Sequence, residues 1–129
     1  MQEKNKLDIS KQEDLCVGVM NLISLEEHLA FTALKTGKEA YLHILNAVRE
    51  LRKKLLEKLV KNKEGQNWCS SKHLLAATMR FLETGEKCIG NDDKEAHEFF
   101  KAAFDTYSLF WFLQKIGGEN VVKKTGKET

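Results

Sequence analysis

The chain has 129 residues, 42% of them hydrophobic and 31% charged, with 21 Lys and Arg against 19 Asp and Glu for a net charge of +2. That length suits one domain, which buries roughly two thirds of the surface its unfolded form exposes. The charge balance argues against nucleic acid or an anionic membrane as the default partner. There is no proline, no apolar run long enough for a signal peptide or a membrane span, and an odd set of three cysteines, Cys16, Cys69 and Cys88. The expectation is a cytoplasmic protein in a reducing compartment.

Residues 1–9 are polar and read as a disordered start. Ser10 and Glu13 form a capping box that opens a first helix over about 11–35, with Leu15, Val19, Leu22, Ile23, Leu29, Ala30, Ala33 and Leu34 on its inner face. Glu26 and Glu27 intrude on that face, where an unpartnered charge is costly. Three readings follow: a buried ion pair with Arg49 or Arg52 across the next hairpin, a helix restart capped by Ser24 and Glu27, or a functional carboxylate pair. Thr36 and Glu39 around Gly37 make a further capping box, so a second helix over about 37–62 runs antiparallel to the first. Its expected buried residues are Ala40, Ile44, Ala47, Val48, Leu51, Leu55 and Leu59.

Residues 49–63 hold seven basic and two acidic side chains, a local +5. Arg52, Lys53, Lys58 and Lys61 are thus a candidate phosphate-binding surface, and a nucleic-acid-binding helical protein is an alternative function. Cations also gather naturally at a helix C-terminus, and no aromatic interleaving or nucleic-acid motif accompanies them, so this alternative is not favoured.

Lys63 to Asn67 reads as the connection between hairpins. A third helix begins near Trp68 to Ser71 and runs to about Ile89, with Leu74, Leu75, Ala77, Met79, Phe81 and Leu82 inside and a fraying or kink point at Gly85. Cys69 and His73, one turn apart near its N-terminus, are a candidate reactive thiol or metal pair, an alternative role that needs a third convergent group. No Glu-x-x-His, paired-cysteine or glycine-rich phosphate motif occurs, so neither a metal nor a cofactor is expected, and no catalytic constellation is recognisable.

Asn91 or Asp92 caps a fourth helix with acidic residues in its first turns, ending at Gly117 and Gly118 before a tail over 119–129. Phe99, Phe100, Ala103, Phe104, Tyr107, Phe110 and Trp111 make its core stripe, and Leu109, Phe112 and Ile116 form a second apolar line. That line is read as a homodimer interface, with cover by the Val121-Val122 tail or a ligand groove as the other possibilities. Lys38-Glu39-Ala40 with Ile44 and Ala47 echoes Lys94-Glu95-Ala96 with Phe100 and Ala103. The spacing is similar to the second helix of a tetratricopeptide repeat, but the copies lie too far apart and the helices are too long for that family.

Five of the eight glycines, Gly37, Gly65, Gly90, Gly117 and Gly118, fall where apolar periodicity stops. The resulting expectation is all-α: a single domain over 10–118, folded as a four-helix up-and-down antiparallel bundle of two helical hairpins. Its expected role is that of a non-enzymatic interaction or assembly module that self-associates.

Overall fold

The computed structural model describes residues 8–60 and 62–128, with side chains as far as Gly117. Four α-helices follow one another: α1 Ile9–Thr36, α2 Glu39–Glu57, α3 Gly65–Cys88 and α4 Asp93–Glu128. Among the described residues there is no strand, and no helix is long and apolar enough to cross a membrane. The chain divides into two compact units between Leu59 and Val60, α1 packing on α2 in the first and α3 on α4 in the second.

In the first unit the Asp8 carboxylate accepts the Lys11 backbone N–H at 2.8 Å, so α1 opens there and Ser10 lies within it, not at its cap. Most of the disordered start expected over 1–9 lies outside the described residues. α1 continues without a break to Thr36, so Ser24 and Glu27 do not restart it. It ends as expected at Gly37, whose φ of 69° is left-handed and whose N–H reaches the Ala33 carbonyl at 2.8 Å. The Thr36 hydroxyl accepts the Lys38 N–H at 3.2 Å, a one-sided version of the expected capping box. α2 stops at Glu57, short of the expected 62, and Leu59 and Val60 beyond it are buried.

Burial in this hairpin is uneven. Cys16, Val19, Met20, Leu56 and Leu59 are hidden, whereas Leu34 is 79% exposed and Ile44 and Leu51 are each 49% exposed. The inner stripe expected for α2 therefore needs correction. Arg52 and Leu56 turn inward, Leu55 is half-buried, and Ala40, Ile44, Ala47 and Leu51, about a third of a turn round the helix from Arg52, stay exposed.

In the second unit α3 begins at Gly65, three residues earlier than expected, after Asn62 accepts the Glu64 N–H at 3.0 Å. The chain reverses at Gly90, with φ 90°, and Asp92 caps α4 by accepting the Glu95 N–H at 3.0 Å. α4 does not stop at Gly117 and Gly118. Helical backbone continues through both to Glu128, so the expected tail over 119–128 is helix, and Thr129 lies outside the described residues.

Gly117 has a packing reason to be glycine: a Cβ there would lie 2.8 Å from Asn67 Oδ1. Asn67 cannot yield cheaply, being buried and held by a 2.6 Å bond from its Nδ2 to the Asn62 carbonyl. Gly18, also inside a helix, has nothing within 4 Å of its absent Cβ. Both sites gain about 1 kcal/mol of helix propensity as alanine, but overpacking costs about 1–3 kcal/mol. Urea denaturation is expected to show Gly18→Ala stabilised and Gly117→Ala destabilised.

Candidate functional site

α3 and α4 run antiparallel with one constant register. Asn67 lies against Gly117, Ser71 bonds to Gln114, Thr78 to Thr106, and Gly85 receives the Phe100 ring. On α4 every seventh residue from Ala96 through Ala103 and Phe110 to Gly117 is buried, the repeat of a helix that keeps one seam toward its neighbour. The facing residues of α3, Asn67, Ser71, Thr78 and Gly85, are small or polar, and Leu75 is buried beside them. Thr78 and Thr106 hydroxyls meet at 2.7 Å, and Gln114 Nε2 donates to Ser71 Oγ at 2.8 Å and to the Phe110 carbonyl at 3.0 Å. Two oxygens of this seam, Asn67 Oδ1 and Gln114 Oε1, have no hydrogen-bond partner among the described residues.

With Phe110 turned inward against the ring edge of Trp111, Leu109 and Phe112 are left 51% and 57% exposed. They line a groove of about 460 Å³ together with Leu113 and Ile116 of α4 and Ser70, His73 and Leu74 of α3. The structure thus brings the three residues of the second apolar line, Leu109, Phe112 and Ile116, into one concave surface. It adds an α3 wall that the sequence did not reveal. A smaller space of about 250 Å³, sharing Ser70 and Leu113 with the groove, is lined mainly by Asn62, Glu64, Gln66 and Asn67.

Cys69 and His73 do not converge with a third group. Cys69 is exposed on the surface and only His73 borders the groove. Among the described residues no three His, Cys, Asp or Glu side chains gather where they could hold a metal ion. The other thiols are less ready to ionise than an ordinary cysteine. Burial pushes Cys16 up to about 12, and desolvation together with the Glu95 carboxylate, 3.7 Å away, and Asp92 raises Cys88.

In the first hairpin, Arg52 makes two bonds to the Glu26 carboxylate, Nε to Oε2 at 2.7 Å and Nη2 to Oε1 at 3.0 Å. The side chains are 5% and 16% exposed, so this is a forked pair sheltered from solvent. Arg49 instead lies 3.7 Å from Glu50 on the surface, and Glu27 is exposed. The pair also corrects the phosphate-binding surface. Arg52 is turned inward and already bound to a carboxylate, so it cannot share an exposed face with Lys53 and Lys58. Lys53 is engaged by Glu50 at 3.4 Å, and Lys61 lies outside the described residues.

No protein-family model matches this chain, and neither a curated protein sequence nor a solved structure matches it significantly.

Two outcomes follow. Removing one member of a buried pair strands the other, at a cost of about 3–5 kcal/mol, whereas replacing both by apolar groups is close to neutral. Denaturation of Glu26→Leu, Arg52→Leu and the double variant is expected to show the double more stable than Arg52→Leu and Glu26→Leu alike. For Cys16, the unfolded thiol ionises near about 8.5 while the folded one keeps its proton to about 12. Its contribution to stability is whole below that window and is lost through it at roughly 1.4 kcal/mol per pH unit. Cys16→Ala is expected to flatten that alkaline fall in urea midpoints.

Proposed function

We propose that this protein is a non-enzymatic helical interaction module that self-associates through α4, with the α3–α4 groove as the contact surface. The four-helix up-and-down bundle and a cytoplasmic setting belong to the same reading. One observation carries it: Leu109, Phe112 and Ile116 border an open, mostly apolar groove of about 460 Å³, at which the Phe112 ring is more than half exposed. A surface bearing both an exposed ring and an open groove offers both halves of a twofold contact. Clusters of exposed large apolar residues on one face mark association sites, and buried aromatic anchors carry most of an interface's energy. The polar groups bordering the groove, Ser70 and His73, suit a rim.

The test is size-exclusion chromatography with light scattering. The wild-type chain is expected to exceed monomer mass. Phe112→Asp, at a position already more than half exposed and so tolerant of change in the monomer, is expected to weaken association at least tenfold, about 1.4 kcal/mol. A monomeric wild type removes the proposal.

A further inference from the structure

We draw no further inference here: the strongest candidate, the cavity of about 250 Å³ at the N-terminal end of α3 beside Asn62, Glu64, Gln66, Asn67 and Ser70, rests on a helix N-terminus alone, because the Asn67 Oδ1 that has no hydrogen-bond partner among the described residues is closed off from solvent beside Gly117 and does not reach a ligand.

Discussion

The approach of α3 to α4 is set by two places where one helix offers no side chain. Gly85 accepts the ring of Phe100, and Gly117 lies against the Asn67 carboxamide. Between them, two hydroxyl and amide pairs bridge the seam. Such a seam tolerates neither sliding nor rotation. A one-residue slip separates Thr78 from Thr106 and Ser71 from Gln114 and sets a Cβ against a group that has no room for it. Once α4 is locked with Ala96, Ala103, Phe110 and Gly117 inward, the remaining apolar residues have no place in the seam. Leu109 and Phe112 stand outside because Phe110 stands inside.

The first hairpin reaches a similar end by a different device. Its register rests on the forked Glu26–Arg52 pair, which is directional where hydrophobic contact is not. Such a pair adds little net stability compared with apolar side chains of the same volume, but a mismatched register leaves two charges without solvent or partner. Arg52 turned toward Glu26 fixes which side of α2 faces α1, and by the same rotation it leaves Ile44 and Leu51 half open.

These two locks explain which parts of the fold were legible in the chain. Helices show as apolar residues three and four apart, and left-handed glycines at their ends are readable where the geometry demands φ above zero, as at Gly37 and Gly90. Gly117 carries the same letter for another reason, the absence of a Cβ at a close approach, and only the facing Asn67 tells the two apart. The clash of Glu26 with its apolar face left a cation opposite it as one of three readings, and Arg52 was in reach by counting from the turn. The seam of α3 was not legible. Asn67 read as part of a connection, Ser71 as a helix start and Gly85 as a fraying or kink point, Thr78 carried no signal, and their burial follows from partners far away in sequence. For α2 the periodicity identified a stripe correctly as a stripe, but amphipathicity records only that a face is apolar and says nothing of what covers it.

Register and exposed apolar surface are therefore carried by different faces of the same helices. Polar and small residues, which gain little from burial, sit where they fix register. Large apolar residues, each worth about 1.5–3 kcal/mol when fully hidden, are left on the outside of α4 and α2. A chain built only to be stable would place them the other way round, since exchanging an inward Ser, Thr or Gln for Leu deepens a core and moving Phe112 or Leu51 inward removes an exposed apolar side chain. The inward positions are thus filled for register, and the cost of that choice is the apolar surface left half open on both hairpins.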